Sequence, residues 1–441
     1  MKRKIWLLLH RYLGISAGLV LAVVGVTGAL LSFEDEILDI INRDVVQVEQ
    51  RPFAAPLQPD ILYRKTAENF PDRRVQGFTF FDVPEASVKV NLSDPNGGRR
   101  GEDWYIDPFT AEVLGPVQGV SAMHFIEDIH RRLLAGETGK ALVGASALIL
   151  IFMALSGIYL RLPTLIKKKV KKRRRPIRDT ADHALKVGQN AAELSVREAR
   201  KSGDSLGFYQ RWRERLSRLL FFKRGLKGTA FWWHLHAVAG TWVILFYLSA
   251  SLTGLYFSYD WYRAGVLKLA GVEQPKRRAP MKGAGDEKII DIDVSASALA
   301  KSWRVFGEHV QSYTQVSIRL PKGEENYQFS YLDADSGHER ASNRMEIRYA
   351  DAQIIKHDLY SDKLVGEKLV ASMLPLHTGS FYGVTGKIIF FTSSLMMPLF
   401  TFSGIWLYLQ RRKVKSIKKK RFIKRAESMA NDGQNPASAE V

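Results

Sequence analysis

Four long apolar runs divide the chain, and polar segments of mixed pattern separate them. The first extends from about Trp6 to Phe33, the second over Ala141–Leu160, the third from about Thr229 to Phe257 and the fourth from about Ile388 to Leu409. Each is long enough to cross roughly 30 Å of hydrocarbon at about 1.5 Å of rise per residue, so each predicts a membrane-spanning helix. The opening residues, MKRKIWLLLH, have the basic end and apolar core of a signal peptide. The core is longer than such peptides need and no small-x-small cleavage site follows, so a retained helix is expected. Pro398 falls inside the fourth run, where a kink is tolerated if neighbouring helices cover the freed carbonyl.

Between runs one and two, and again between three and four, the pattern changes to short alternating pieces. Arg74–Phe81, Ala86–Leu92 and Asp103–Ile106 read as strands in the first segment, and Thr314–Leu320, Tyr327–Leu332 and Met345–Tyr349 in the second. Turn-forming clusters at 95–98 (PNGG), 321–326 (PKGEEN) and 333–337 (DADSG) divide them. Helices are predicted ahead of the strands at about 57–69 and 294–306. The expected fold is a polytopic α-helical membrane protein with four transmembrane helices and two extracytoplasmic α+β domains. The boundaries are 5–33 for the first span, 34–128 for the first outer domain and 129–161 for an approach and the second span. A basic loop follows at 162–227, the third span at 228–259 and the second outer domain at 260–375. Residues 376–410 make the approach and fourth span, and 411–441 a basic tail.

Charge orients these spans. The formal net charge is +20, and it is unevenly spread. Residues 161–228 carry 21 Lys/Arg against 6 Asp/Glu, and 410–441 carry 10 against 3. Residues 34–140 hold 19 acidic and 12 basic residues, and 258–386 hold 17 of each. Positive residues collect on the cytoplasmic side of membrane proteins, which puts both termini and the 161–228 segment inside and the two large loops outside. The basic excess is thereby explained without nucleic acid, and its juxtamembrane clusters suit anionic lipid. There is no Cys. Disulfide scaffolds, covalent CxxCH haem attachment, Cys-ligated iron–sulfur clusters, zinc–thiolate sites and Cys nucleophiles are all excluded.

The chain also repeats itself. Trp6, His10, Gly14 and Thr27-Gly28 recur as Trp232, His236, Gly240 and Thr253-Gly254 at an offset of 226. His130, Gly136, Thr138-Gly139-Lys140 and Ser156-Gly157 recur as His377, Gly383, Thr385-Gly386-Lys387 and Ser403-Gly404 at an offset of 247. Two copies of one unit, span then outer domain then span, enter the membrane in the same direction, a parallel repeat.

The repeat selects four of the ten histidines. His in a membrane helix is costly without a partner or ligand, so it marks a functional site by default. Equivalent His on symmetry-related helices can meet at one depth: His10 with His236 near the inner face, His130 with His377 near the outer. Facing imidazole pairs suit bis-His b-type haem, which needs two axial nitrogens and no Cys. Direct binding of zinc, iron or copper suits the arrangement less well, since the pairs lie a span apart and two His alone make a poor metal site. Gly14 and Gly240, one turn beyond the inner His, either leave room for a porphyrin edge or allow close helix packing. Arg11, Arg131 and Arg132 adjoin the ligands and either neutralise haem propionates or serve as interfacial charges. His234 is a rival to His236, and His124, which has Ala371 at its matching position, is a supporting group or an additional ligand. His183, His309, His338 and His357 have no repeat partner and read as surface or loop residues. Phe125, Phe381, Tyr382 and Trp104 read as interface anchors or core, with lining of an outer contact surface as the alternative.

The stretches WLLLHRYLG…GVTGALLSF at 6–33, WYIDPFTAEVLG at 104–115, IHRRLLAGETGK at 129–140, WWHLHAVAG at 232–240 and LHTGSFYGVTGK at 376–387 resemble the PepSY-associated transmembrane family. That family includes inner-membrane ferric-siderophore reductases. The resemblance implies four spans, two PepSY-type outer domains in a bacterial inner membrane, and two b-type haems ligated by His10/His236 and His130/His377. It implies an oxidoreductase that passes electrons outward, reduces ferric-siderophore iron and releases Fe(II). Some relatives carry a cytoplasmic flavin module; the 161–228 segment has neither a G-x-G-x-x-G fingerprint nor a βαβ pattern, which leaves a separate cytoplasmic reductase or a membrane quinol as donor. Two alternatives stand beside this reading: electron supply to a periplasmic redox protein, and a non-enzymatic membrane-anchored regulator. A transporter is disfavoured because the four spans contain no acidic residue to couple an ion.

Overall fold

The computed structural model describes residues 2–49, 54–95, 101–166, 219–274, 292–321 and 326–432, with positions 51, 213, 216 and 217 besides. The basic run at 167–175, most of the 162–227 loop, His183 and most of the expected turns at 95–98 and 321–326 lie outside the described residues.

The chain begins with α1 (Lys2–Leu31), two short helices α2 (Glu34–Ile41) and α3 (Arg43–Val46), and α4 (Pro59–Asn69). Strands β1 (Val75–Phe81), β2 (Val88–Leu92), β3 (Glu102–Ile106) and β4 (Val113–Pro116) lead into α5 (Val120–Arg132) and α6 (Gly136–Ile166). The next long helix, α7 (Gly228–Ser258), is followed by α8 (Asp260–Leu269) and α9 (Ile292–His309). Then come β5 (Gln315–Arg319), β6 (Tyr327–Leu332), β7 (Asn343–Ile347) and β8 (Ile354–Asp358). The chain finishes with α10 (Val365–Ala371), α11 (Met373–Thr378), a single 3-10 turn at Ser380–Tyr382, and α12 (Gly383–Asp432). Stretches of α1, α6, α7 and α12 are long and apolar enough to cross a membrane, so this is a membrane protein with four candidate spans. α12 runs unbroken through Pro398 to Asp432. The expected boundary between span and tail at 410–411 is therefore no break in the helix: Lys and Arg are good helix formers, and the basic tail continues the same rod.

Contacts divide the chain into two compact units, and each long helix supplies a segment to either. The first comprises Met1–Ala22, Ser146–Leu248 and Met396–Val441, and the second Val23–Ala145 and Ser249–Leu395. Ala17, Leu21, Val243, Tyr247 and Met397 form the small core of the first, with Ile149, Leu150, Met396 and Phe400 packed against it.

The second unit contains a single antiparallel sheet of eight strands in the order β4-β3-β2-β1-β5-β6-β7-β8. This corrects the expectation of two separate α+β domains. The two four-strand halves join through β1 and β5, with Phe78 opposite Ile318 and Thr79 opposite Ser317. The Thr79 and Ser317 hydroxyls are 3.0 Å apart. One core serves both halves: Leu62 of α4, Phe78 and Val90 lie in the same cluster as Leu299 and Phe306 of α9, Ile318 and Phe329. The physical reason is the strand edge. A four-strand half alone would expose the unpaired N–H and C=O groups of β1 or β5, and each half supplies the other's missing neighbour.

Sequence alternation found β1, β2, β3, β5 and β6 within two residues of their observed ends. β7 lies at Asn343–Ile347 instead of 345–349. A shift of two keeps the same residues inward, so Met345 and Ile347 are buried as expected. β4 and β8 are short edge strands, and neither alternates clearly between buried and exposed positions.

Gly77 sets how closely the halves approach. A Cβ there would stand 2.4 Å from the Ile318 carbonyl oxygen, which belongs to backbone and cannot swing aside. Gly77→Ala is expected to lower the thermal midpoint of the detergent-purified protein by the equivalent of about 1–3 kcal/mol. Gly307→Ala is the control. It lies exposed in α9 with no atom near its added Cβ, and it is expected to raise stability by about 0.5–1 kcal/mol.

Candidate functional site

In the second unit, α5 and α11 each end in a tight reversal that hands the chain to a long helix. After α5, Leu133 and Leu134 adopt left-handed backbone angles, with φ of 51° and 56°. After α11, Gly379 does so with φ of 90°. The glycine of each Thr-Gly-Lys triplet makes the reversal possible. A Cβ on Gly139 would lie 1.6 Å from the Arg132 carbonyl oxygen, and one on Gly386 would lie 2.2 Å from that of Gly379. Both contacts are backbone, and Arg132 matches Gly379 at the same 247-residue offset. The triplets are thus structural, and they place the histidine one turn back from each reversal.

His130 of α5 turns its Nδ1 to α1, 3.0 Å from the Val24 carbonyl oxygen and 3.1 Å from Thr27 Oγ1. A carbonyl only accepts, so the ring proton sits on Nδ1 and donates. The Thr27 hydroxyl agrees with this, since it spends its own proton on the Val23 carbonyl at 2.8 Å. His377 of α11 repeats the arrangement on α7. Its Nδ1 lies 2.9 Å from Thr253 Oγ1, and the Thr253 hydroxyl donates to the Ser249 carbonyl at 2.7 Å. Gly28 and Gly254 lie under the two rings: a Cβ would come within 2.8 Å and 3.2 Å of Cε1 of His130 and His377. The ring centroids of His130 and His377 are 6.1 Å apart, with planes inclined by 70°. Burial pushes the His130 imidazole down to about 4, and its neighbour His377 adds to the effect. Burial lowers His377 as well. Both rings are neutral at physiological pH, the form that can offer a lone pair.

The first unit contains a second set built alike. His10 of α1 places Nδ1 2.7 Å from Ser156 Oγ on α6, and Ser156 donates to the Met153 carbonyl. His236 of α7 places Nδ1 2.8 Å from Ser403 Oγ on α12, and Ser403 donates to the Phe400 carbonyl. Gly157 and Gly404, next to the two serines, face Cε1 of His10 and His236.

All four histidines therefore donate through Nδ1 to a hydroxyl, and among the described residues no hydrogen-bonding group meets any Nε2. A metal-ligating imidazole has this pattern: one nitrogen fixed by a hydrogen bond, the other a free lone-pair donor of known direction. Two rings on opposite faces of one metal, each nitrogen about 2 Å away, have centroids about 6 Å apart. The His130–His377 separation fits that spacing. Among the described residues no group of three or more His, Asp or Glu side chains gathers as a metal site. A pair with no further protein ligand fits axial ligation of a haem better than capture of a bare ion.

The remaining predicted residues fall into place unevenly. Gly14 faces the end of the Met153 side chain, 2.8 Å from a built Cβ, and Gly240 faces Phe400 at 3.8 Å. Met153 and Phe400 are themselves matched at the 247 offset, so the space over these glycines holds side chains, as the close-packing alternative expects. Arg131 pairs with Glu127 one turn back at 2.6 Å, Arg132 with Asp128 at 3.3 Å, and Arg11 lies over the Tyr408 ring. His234 accepts the Lys223 backbone N–H through Nε2 at 2.9 Å, and it is His236 that meets Ser403. His124 is exposed on α5. Trp104 packs against Phe70 in the sheet core.

The serines and threonines were visible in the sequence as repeat markers, but their role was not. The telling signal was a hydroxyl residue followed by glycine, four times, in register with the four histidines. His338, expected at the surface or in a loop, does lie in the loop between β6 and β7, but it is buried there, which corrects the surface reading. Its Nδ1 accepts the Arg340 N–H, and its Nε2 lies 3.1 Å from Ser372 Oγ and 3.2 Å from the Tyr360 hydroxyl. Ser372 caps α11, so His338 ties the β6–β7 connection to the helix that carries His377.

Comparison with known proteins adds the family. A family model described as the PepSY-associated TM region matches residues 7–184 and again 206–411. No curated protein matches the chain.

Burial pushes His338 below the ordinary histidine range, with Glu339 pulling weakly the other way. A histidine lowered in the fold binds its proton more readily when unfolded, so folded stability is lost as pH falls through about 6.5. The thermal midpoint should therefore be lower at about pH 5 than at about pH 7.5. His338→Gln, which cannot titrate, should reduce this difference. An unchanged pH dependence would place the titration on other groups.

Proposed function

Since the chain belongs to the PepSY-associated transmembrane family, we propose that it is a haem-carrying membrane oxidoreductase that reduces chelated ferric iron. His130 and His377 hold one b-type haem, and His10 and His236 hold another. The observation that carries this reading is the shared state of four half-buried imidazoles, each with Nδ1 spent on a hydroxyl and Nε2 free of any described partner. Bound haem would supply one-electron transfer between ferric and ferrous iron.

The protein's own groups do the rest. Thr27, Thr253, Ser156 and Ser403 hold each ring in one tautomer and one orientation, and a donated Nδ1–H raises the basicity of Nε2. Burial keeps water from the ligand positions and favours neutral imidazole. Gly28, Gly254, Gly157 and Gly404 let the helices come within contact distance of the rings. The two copies form a parallel repeat, with both termini and the 161–228 segment cytoplasmic and the sheet outside a bacterial inner membrane. In the net reaction an inner donor, a separate reductase or membrane quinol, loses one electron. An outer Fe(III) chelate, a ferric siderophore, gains it and releases Fe(II), which hard oxygen ligands hold far more weakly.

Absorption spectra of the detergent-purified protein, oxidised and dithionite-reduced, with pyridine haemochrome quantification, test the reading directly. Low-spin b-type bands at two haems per chain are expected. A colourless protein from haem-sufficient cells would sink it and bring the regulator reading forward. His377→Ala should retain one haem of the two, and two remaining haems would refute the pairing. Ser156→Ala should keep the fold while weakening haem retention at His10 by about 10–100-fold.

A further inference from the structure

At the start of α7 an open groove of about 450 Å³ is lined by Lys223, Leu226, Thr229, Ala230, Trp233, His234, Leu407 and Arg411. Its polar lining is one-sided. Lys223 and Arg411 bring two positive charges, and among the described residues neither is paired with a carboxylate. His234 spends Nε2 as an acceptor for the Lys223 N–H, so in the neutral ring Nδ1 carries a proton and remains a donor. Thr229 adds a hydroxyl. Among the described residues no acidic side chain lines the groove. The walls are otherwise apolar, with Leu226, Leu407 and a Trp233 ring that is 45% exposed.

The position narrows the ligand. Thr229 to His234 are the first residues of a helix long and apolar enough to span a membrane. Arg411 follows the last apolar turn of another, at the start of a run of ten Lys and Arg. Such basic flanks mark the cytoplasmic interface, where anionic phospholipids carry their phosphates. An exposed tryptophan at the same level matches the aromatic belt of that interface.

We propose that this groove binds one anionic phospholipid, its phosphate held by Lys223, Arg411 and His234 and an acyl chain laid along Leu226, Trp233 and Leu407. The recognising chemistry is that of a phosphate ester, and the apolar walls at interfacial depth select a lipid over a soluble phosphate. The proposal concerns binding alone and does not depend on haem.

The test compares the delipidated full-length protein in detergent with phosphatidylglycerol, with phosphatidylcholine and with inorganic phosphate, by thermal midpoint and by native mass spectrometry. Phosphatidylglycerol should raise the midpoint and leave a retained lipid, while phosphatidylcholine and inorganic phosphate should not. The Lys223→Gln/Arg411→Gln variant should retain one phosphatidylglycerol fewer, with apparent affinity roughly fivefold weaker for each cation removed. Lys418→Gln/Lys419→Gln, on the exposed basic tail, should behave as wild type. If the double groove variant does not fold, Trp233→Ala should still weaken retention by removing the acyl-chain wall. Equal lipid retention by wild type and the groove variants overturns the proposal. So does an equal midpoint rise with inorganic phosphate, which would make the groove a soluble-anion site.

Discussion

An imidazole on a packed helix has two nitrogens to place, and this structure hydrogen-bonds one. At His10, His130, His236 and His377 the Nδ1 proton goes to a serine or threonine oxygen whose own proton is already committed to a helix carbonyl. The hydroxyl thus acts only as an acceptor, and the ring is locked with its second lone pair facing away. The glycines beside the hydroxyls, the reversals after α5 and α11 and the close backbone approaches at Gly139 and Gly386 all serve to bring the rings into this state.

Much of this was legible in the sequence. The spans followed from length and apolarity alone, and the repeat offsets of 226 and 247 isolated the four histidines without any structural help. Offsets align positions but do not say what touches what. Ser156 and Thr253 matched Ser403 and Thr27 as plainly as the histidines matched one another. Their hydrogen bonds join helices 100 to 170 residues apart, which no local pattern reveals. Gly14 and Gly240 drew attention because they share a helix face with a histidine; the glycines that touch the rings sit on other helices.

The strands were readable one by one, because alternation is a property of a single strand. Their assembly was not, since pairing of β1 with β5 spans more than 230 residues. The Gly77 position is the one local clue: a small residue inside an otherwise bulky strand marks a close backbone approach. His338 escaped for a related reason. It has no counterpart in the first copy, so a search for matched residues passes over a group that belongs to the second copy alone.

The shared sheet has a consequence for biosynthesis. β1 is made long before β5 exists, and in the interval it is an unfinished edge. Non-local strand pairing is slow because the intervening chain must be ordered first, and here two further membrane insertions intervene as well. The first copy must therefore wait, partly assembled and with a strand exposed, until the second arrives beside it. Any shortened product that ends before residue 315 would keep that edge open, a target for proteases and for pairing with other chains. The same pairing that gives the sheet one core makes the order of its synthesis a hazard, and the quality of each molecule is decided only when its last third has been made.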